Sequence, residues 1–374
     1  MTHTFDPVIQ SYFRRNTPPS VNKGVRYAIA QGPSQVATLS TIKEAIAFNF
    51  GTLEEACEMA GFYNSQLISF PELFLSGYEF GETDKSDEPV RTVKETAEYI
   101  KNNGYLEESG PISKIAKYRN IAIICPLPYA GSDPKGNDGI YDAAVVFDAD
   151  GKKLGMQFKN HLWGIDERRW FRIPEYGDTD NPFRTFEING IPVGVAICYD
   201  AEFPEVARSL ALNGALISAM PTAAPNSKLP GQSEPYPDIS EHYIPANALQ
   251  NQNFCSYGNR ASWEFKLENE KQENVLEYSG NSIICSPYGK PLVKAFGNQD
   301  TLLIADCIIC DFPSTQPPDT DYLINRRPEI YGVMTSMEAD FPGGKKYRYP
   351  DEPKQHQDPD RPDDNKNSCQ KVST

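Results

Sequence analysis

Short apolar runs alternate with segments of helical periodicity along most of this 374-residue chain, and this alternation restricts the fold more than any other feature. The first run covers residues 25–31, a helical stretch continues to about Ala60, a second run follows at 66–72, and another helix is predicted near 92–118. Further strand-like runs lie at 120–127, 141–151, 152–158, 182–188, 191–198 and 215–221, and further helical segments lie at 204–214 and 241–252. The turns Ala-Asp-Gly and Asn-Gly between neighbouring runs predict antiparallel pairs. The whole order predicts an α/β protein with helices outside its sheets.

The two ends of the chain differ from this pattern. Residues 1–22 are predicted to be a flexible extension, and residues 336–374 contain no Leu or Ile and many Pro, Asp and Lys residues. Such a composition cannot bury enough apolar surface to order itself, so we expect a polar tail that is disordered or wraps a partner subunit. A single catalytic domain is predicted between them, at 23–335. Its proline-rich segment 222–240 is expected to form a loop over the pocket.

The charge of the chain limits its partners. The formal net charge is −15, whereas nucleic acids and anionic membranes require clustered Lys and Arg side chains. A small neutral or cationic substrate is therefore expected. The sequence contains neither a membrane-spanning apolar run nor a signal-peptide pattern, so it predicts a cytoplasmic protein with no membrane partner.

Cysteine and histidine usage argues against a metal centre. The eight cysteines are dispersed and mostly lie in apolar strand-like runs, which predicts buried free thiols. Cys307 and Cys310 form a CxxC pair, but neither a second CxxC nor a histidine pair accompanies it, so packing is the expected role. With only four histidines, the chain has little material for Cys-His catalysis.

Three strand ends carry the candidate chemistry. Cys198 lies between an apolar strand and a helix, where backbone N–H groups would favour a thiolate and an oxyanion. Glu72 ends an apolar run as a candidate proton carrier, and Lys159 follows another run as a candidate oxyanion stabiliser. Each also has a structural explanation without catalysis: Cys198 as a buried structural thiol, Glu72 as a helix-capping acid and Lys159 as a solvated lysine.

Taken together, these segments resemble the nitrilase superfamily of carbon–nitrogen hydrolases. The resemblance rests on Glu72 in Phe-Pro-Glu, Lys159 in Lys-x-His-Leu and Cys198 in Cys-Tyr-Asp-x-x-Phe-Pro-Glu, with matching flanks from about residue 25 to 335. It implies a four-layer αββα sandwich that assembles into a homodimer or a higher homo-oligomer. In this interpretation Glu72 accepts the thiol proton and Cys198 attacks the carbonyl. The oxyanion is held by Lys159 and the backbone N–H of Tyr199, and neither a cofactor nor a metal is needed.

The resemblance also suggests substrate-binding residues, namely Tyr129, Trp163, Glu167, Tyr199 and Glu202. Many relatives carry a further glutamate that orients the lysine or the substrate, and Tyr129 lies near its place in this chain. Either the Tyr129 hydroxyl or Glu167 is expected to do this instead. Glu202 is either an acid that attracts a substrate ammonium or an early-helix acid favoured by the helix dipole.

The residues after Cys198 resemble the amidase side of the superfamily. A small amide, including an amino amide, is therefore the expected substrate. N-carbamoyl compounds and nitriles remain alternatives, as does acyl transfer to an amine. A non-catalytic interaction protein on the same fold is the alternative from another class, although all three catalytic residue types are present.

Overall fold

The computed structural model describes residues 5–83, 85–226, 238–314 and 316–336. The chain divides into a compact unit, Met1–Asn325, and a second unit, Arg326–Thr374, whose described part contains two short 3₁₀ helices. The α-helices are α1 (Ile42–Phe62), α2 (Glu88–Asn102), α3 (Pro111–Arg119), α4 (Gly164–Trp170), α5 (Pro204–Leu212) and α6 (Ile239–Asn251). The strands are β1 (Val8–Tyr12), β2 (Gly24–Gln31), β3 (Leu67–Ser69), β4 (Ala122–Ser132), β5 (Asp138–Phe147), β6 (Lys153–Phe158), β7 (Thr185–Ile188), β8 (Ile191–Val195), β9 (Ile217–Pro221), β10 (Phe254–Gly258), β11 (Ala261–Glu268), β12 (Lys271–Ser279), β13 (Ile283–Cys285), β14 (Pro291–Lys294) and β15 (Thr301–Ile308).

Two sheets form the centre of the first unit. One sheet has seven strands in the order β1-β15-β2-β3-β4-β5-β6, and the other has six in the order β14-β13-β10-β9-β8-β7. Strands β11 and β12 form a separate antiparallel hairpin. The strands that follow crossover helices, such as β3 and β4, pair in parallel, and those that follow tight turns, such as β5 and β6, pair antiparallel.

Alternating side chains on β2 show how the layers are built. Tyr27 and Ile29 point into an apolar core that also contains Val193 of the second sheet, whereas Ala28 points to the opposite face, against α1 residues such as Ala56. Helices α5 and α6 cover the outer face of the second sheet. The arrangement is helix, sheet, sheet, helix, so the expected αββα fold is confirmed.

The structure differs from the sequence expectations at two places. Residues 1–22 were expected to be a flexible extension, but β1 within that range pairs in parallel with β15, and Phe5 is almost completely buried. The helix expected at 92–118 is two helices, because Gly104 adopts a left-handed conformation at φ +72° and Pro111 starts a new helix. Strand β1 was missed because its five residues carry no run of apolar side chains.

Two of the expected segments fall largely or wholly outside the part of the chain that the structure describes. Most of the expected loop at 222–240 and all of the tail beyond Ser336 lie outside the described residues.

The seven cysteines in the described residues are all free, and six of them are buried, while Cys310 is exposed in the turn after β15. None of the described helices combines the length and the apolar character that a bilayer-spanning helix requires.

The burial of Phe5 gives a direct test of the N-terminal segment. Phe5→Ala should lower the free energy of unfolding by about 3–5 kcal/mol, because it removes a buried aromatic side chain from the core beneath α1. Urea unfolding followed by circular dichroism measures this change, with exposed Val21→Ala as the control. An equal, small effect for both variants would show that the segment does not contribute to the core.

Candidate active site

Strands from both sheets deliver the three candidate catalytic side chains to one place. Glu72 follows β3 and Lys159 follows β6, both in the seven-stranded sheet, whereas Cys198 follows β8 in the six-stranded sheet. Cys198 begins a short 3₁₀ helix, Cys198–Glu202, which leads into α5. Lys159 contacts Glu72, and the charges of both act on the Cys198 thiol, so the facing of the two sheets brings the three side chains together.

Lys159 is the centre of a buried charged cluster. Its Nζ donates to Glu72 Oε1 at 2.6 Å and to both carboxylate oxygens of Glu167 at 2.7 and 2.8 Å, and it lies 3.8 Å from Asp142 Oδ2. Burial opposes the charge on Lys159, but the carboxylates of Glu167 and Glu72 outweigh it and hold the pKa of the ammonium well above its ordinary value. A permanently charged cation is thus fixed beside the candidate proton carrier.

Cys198 is a thiol in this environment rather than a thiolate. Burial raises its pKa well above the ordinary value, and the charges of Glu72 and Glu167 raise it further, while Lys159 lowers it. Burial therefore opposes the thiolate form that a helix N-terminus was expected to favour. A nucleophilic role for Cys198 would therefore require a base that removes the thiol proton.

The backbone at Cys198 is also unusual. Its φ is +50°, in the left-handed region that side chains other than glycine seldom adopt. The turn is supported by Asp200, which is completely buried and accepts hydrogen bonds from the backbone N–H of His161 at 3.0 Å and from the His161 ring at 2.6 Å. Asp200 thereby ties the segment after Lys159 to the turn that carries Cys198.

Glu167 lies in the cluster, and Tyr129 does not. Besides Lys159, Glu167 accepts the hydroxyl of Tyr78 at 2.6 Å and the backbone N–H of Trp163 at 2.7 Å. Tyr129 packs instead against Phe158, with ring centroids 5.8 Å apart, and lines a separate cavity. Because neighbouring strand residues face opposite sides of a sheet, a ring that contacts Phe158 lies on the side away from Lys159. Tyr129 and Glu167 were the two residues expected to replace the further glutamate of the relatives. Only Glu167 contacts Lys159.

Two residues of the cluster were missed by the sequence analysis. Asp142 is completely buried in β5, and neither of its carboxyl oxygens has a hydrogen-bond partner among the described residues; Glu72 Oε2 is equally unpaired. Burial and the Glu72 charge raise the pKa of Asp142 well above its ordinary value, so a proton on Asp142 can supply the missing hydrogen bond. A single Asp within the apolar run of β5 was the available signal. Tyr78, the other missed residue, follows a loop and gave no signal.

A cavity of about 720 Å³ adjoins the cluster. Tyr78 and Glu167 lie in its wall, as does Trp163, whose side chain is 40% exposed. Cys198, Glu72 and Lys159 do not line this cavity directly.

Tyr199 and Glu202 are partly exposed beside Cys198, and the ring centroids of Tyr199 and Phe203 lie 4.9 Å apart. Among the described residues, no group of His, Cys, Asp or Glu side chains is arranged to hold a metal ion.

The fold and this cluster define an αββα hydrolase with a buried thiol, carboxylate and ammonium. Residues 26–310 match the carbon–nitrogen hydrolase family, and the chain belongs to it. It is therefore an enzyme that hydrolyses carbon–nitrogen bonds other than peptide bonds.

Relatives from several organisms are similar to this chain. The "hydrolase in pqqF 5'region" of Pseudomonas protegens is 31% identical over 276 residues, which cover 73% of this chain and 81% of the relative. N-carbamoylputrescine amidase of Arabidopsis thaliana is 27% identical over 302 residues, covering 79% and 93%. Among solved structures, a double mutant of the amidase from Nesterenkonia sp. AN1 in complex with acrylamide has a TM-score of 0.60 and 25% identity, covering 83% and 97%.

The raised pKa of Asp142 predicts a pH-dependent stability. A carboxyl group whose pKa is higher in the folded than in the unfolded protein stabilises the fold at pH values below the unfolded pKa, and this contribution is lost as pH rises through the folded pKa. Asp142→Asn should remove this loss, so its melting temperature should rise relative to wild type as the pH increases above the ordinary pKa of an aspartate. Circular dichroism melts of wild type, Asp142→Asn and the exposed control Glu187→Gln test this. A difference from wild type that stays constant with pH would contradict it.

Proposed function

We propose that this enzyme hydrolyses the C–N bond of a small amide to a carboxylic acid and ammonia through a thioester on Cys198. The observation that carries the proposal is the Lys159 ammonium, which bridges Glu72 and Glu167 beside a thiol that burial keeps protonated. This arrangement supplies a nucleophile, a proton carrier and a fixed positive charge. These are the groups that acyl transfer through a cysteine requires.

The reaction proceeds in two halves. Glu72 takes the proton from Cys198, and the sulfur attacks the amide carbon to form a tetrahedral intermediate whose oxyanion is stabilised by Lys159 and the backbone N–H of Tyr199. Glu72 returns the proton to the leaving nitrogen, the C–N bond breaks, and ammonia departs from the thioester. Glu72 then takes a proton from water, hydroxide attacks the thioester carbon, and the acid leaves as the thiol is restored.

Glu167 and Tyr78 have supporting roles in this proposal. Two carboxylates flank Lys159, so the ammonium keeps its charge when Glu72 becomes protonated during the reaction. Tyr78 donates to Glu167, and burial raises the pKa of the Tyr78 hydroxyl well above its ordinary value, which keeps it a hydrogen-bond donor. The charge that faces the oxyanion therefore changes little between the steps.

N-carbamoyl amines are the second candidate substrates. Their hydrolysis requires the same three groups, and several similar proteins, from Arabidopsis thaliana, Oryza sativa and Solanum tuberosum, are N-carbamoylputrescine amidases. A nitrilase of Pyrococcus abyssi and an omega-amidase of Xenopus tropicalis are also similar to the chain. An ammonia-release screen over small amides, ω-amino amides, N-carbamoyl amines and nitriles distinguishes these classes. A homodimer in the cytoplasm remains our proposal for the assembly and the compartment.

The charge of the cavity supports a substrate that carries an amino group. Six acidic and two lysine side chains line the cavity among the described residues, so its field favours a cation. Glu79 is one of the six; burial raises its pKa to about 7, with Glu264, Asp166 and Glu82 adding to the shift and the N–H of Gly81 opposing it. We propose that the ammonium of an ω-amino amide or an N-carbamoyl diamine faces these acids while the C–N bond meets Cys198.

Mutation of the three groups tests the mechanism. Cys198→Ala should abolish ammonia release because no other group forms the acyl intermediate, and Glu72→Gln should be nearly as severe because both proton transfers depend on it. Lys159→Ala should lose at least about 2.7–4 kcal/mol of transition-state stabilisation, as for removal of one oxyanion-hole donor. Enzyme quenched during turnover should carry the acyl group on Cys198 by peptide mass spectrometry. Ammonia release at the wild-type rate by folded Cys198→Ala would overturn the proposal.

The Glu79 pKa predicts how selectivity depends on pH. The ratio of kcat/KM for an ω-amino amide to that for its uncharged isostere should increase as Glu79 ionises through about pH 7, while the substrate amine stays protonated below about pH 10. Glu79→Gln should lower the ratio and abolish its rise, and the exposed control Glu187→Gln should not. A ratio that is independent of pH in the wild-type enzyme would contradict recognition of the amine by Glu79.

A further inference from the structure

The segment Glu72–Glu79 connects two members of the Lys159 cluster. Glu72 starts the segment, and near its end Tyr78 donates its hydroxyl to Glu167. The segment contains Leu73 at φ +46° and Gly77 at φ +77°, both in the left-handed region. A Cβ on Gly77 would lie 2.6 Å from the Cα of Val36, so this position requires glycine. A loop of this shape needs external contacts to keep one conformation.

Arg260 holds the first half of the loop. Its guanidinium is completely buried, and its two terminal nitrogens donate to the backbone carbonyls of Glu72 and of the strained Leu73, the latter at 3.0 Å. Its Nε donates to Ser34 Oγ at 2.8 Å. The planar fork of an arginine can reach two successive carbonyls at once, which an ammonium on a flexible chain does less well.

Glu264 holds the second half of the same loop. One oxygen accepts the backbone N–H of Tyr78 at 2.8 Å and the other accepts the N–H of Glu79 at 2.9 Å. The remaining capacity of Glu264 is used by Ser34 Oγ at 2.6 Å and Tyr278 OH at 3.1 Å. Arg260 Nε also lies 3.0 Å from Glu264 Oε1, so the two ends of the loop are joined by one buried ion pair.

Stability alone is a weak reason for such a pair. Removing two charges from water costs free energy that their attraction often only offsets, and apolar residues of similar volume are frequently as stable. What apolar residues cannot supply is four directed hydrogen bonds to the backbone of a loop. Neither Arg260 nor Glu264 lines the cavity, so direct contact with a substrate there is not their role.

We propose that Arg260 and Glu264 form a positioning pair, which fixes the Glu72 carboxylate against Cys198 and, through Tyr78, fixes Glu167 against Lys159. The proposal deepens the proposed function and rests on it, because it assigns the pair an effect only through Glu72 and Glu167. Neither residue touches the reacting atoms. The hairpin β11–β12, which begins immediately after Arg260 and includes Glu264, thereby becomes part of the active-site scaffold.

Alkylation of Cys198 by iodoacetamide tests the pair without knowledge of the substrate. Arg260→Lys keeps the charge but loses the fork, and Glu264→Gln keeps the size but loses one acceptor. We expect each to slow alkylation of Cys198 near neutral pH by about tenfold or more, and to shift the pH profile of the rate upward, because the displaced Glu72 accepts the thiol proton less well. The adduct is located by peptide mass spectrometry, and the rates are compared at a temperature at which every variant is folded by circular dichroism.

Two comparisons separate positioning from a merely structural role. Asp306→Asn breaks another buried pair, Arg26–Asp306, whose Nε–Oδ1 distance is 2.7 Å and which holds no residue of the Lys159 cluster. It should lower the melting temperature but change the alkylation rate less than about twofold. The double variant Glu72→Gln with Glu264→Gln should alkylate no more slowly than Glu72→Gln alone, because Glu264 acts through Glu72.

The possible results are distinct. The positioning role would be overturned if folded Glu264→Gln had a lowered melting temperature but an unchanged rate of Cys198 alkylation. It would also be overturned if Glu264→Gln slowed alkylation further in the double variant with Glu72→Gln. If Arg260→Lys does not fold, Glu264→Gln and its double variant decide the question. Ammonia release by folded Cys198→Ala would instead overturn the proposed function. If Cys198→Ala releases no ammonia but Glu264→Gln is alkylated at the wild-type rate, only the positioning pair is overturned.

Discussion

A fully buried ammonium imposes the strongest constraint on this structure. Lys159 has no access to water, so carboxylates must compensate its charge, and Glu72 and Glu167 do so through hydrogen bonds of 2.6 to 2.8 Å. Those carboxylates bring a further negative charge into the interior, close to a third carboxyl group on Asp142. Because burial and the Glu72 charge raise the pKa of Asp142, protonation of this carboxyl group is favoured and lowers the charge excess. Burial thus favours a proton on Asp142, and Glu72 is the member of the cluster that we propose exchanges a proton with Cys198.

The same constraint explains why two sheets are needed. Glu72, Asp142 and Lys159 lie on strands or strand ends of the seven-stranded sheet, whereas Cys198 follows a strand of the six-stranded sheet. A single sheet would leave one face of the ammonium open to water. When the second sheet covers that face, it excludes water, supplies the thiol, and strengthens every charge interaction in the cluster. The apolar core between the sheets therefore sets the distance between the thiol and the group proposed to activate it.

The sequence predicted the parts of this structure that depend on local pattern. Apolar runs located β2 to β6 of the seven-stranded sheet and β7 to β9 of the six-stranded sheet but not β1, and the strand ends at Glu72, Lys159 and Cys198 lie in one region of the fold. Contacts that depend on how the strands pair and on how the two sheets face each other could not be predicted from local pattern. Tyr129 was expected near the lysine from its place in the chain, but the register of β4 turns it to the other side. Arg260 and Glu264 lie more than 180 residues from the loop that they hold, and only the folded chain shows that connection.

Backbone conformation connects this polar network to catalysis. Leu73 and Cys198 both adopt left-handed φ values, a strain of the order of 1–3 kcal/mol each, which persists only where neighbouring contacts determine it. At Leu73 those contacts come from Arg260, and at Cys198 they come from the Asp200 turn. Each strained residue is at or next to a proposed catalytic group, so relaxation of either turn would move a carboxylate or a thiol. A mismatch of about 1 Å at such a group is enough to lose much of the benefit of orientation. The buried polar residues behind the site therefore act on the chemistry through the backbone, by preventing the relaxation that the local sequence would otherwise favour.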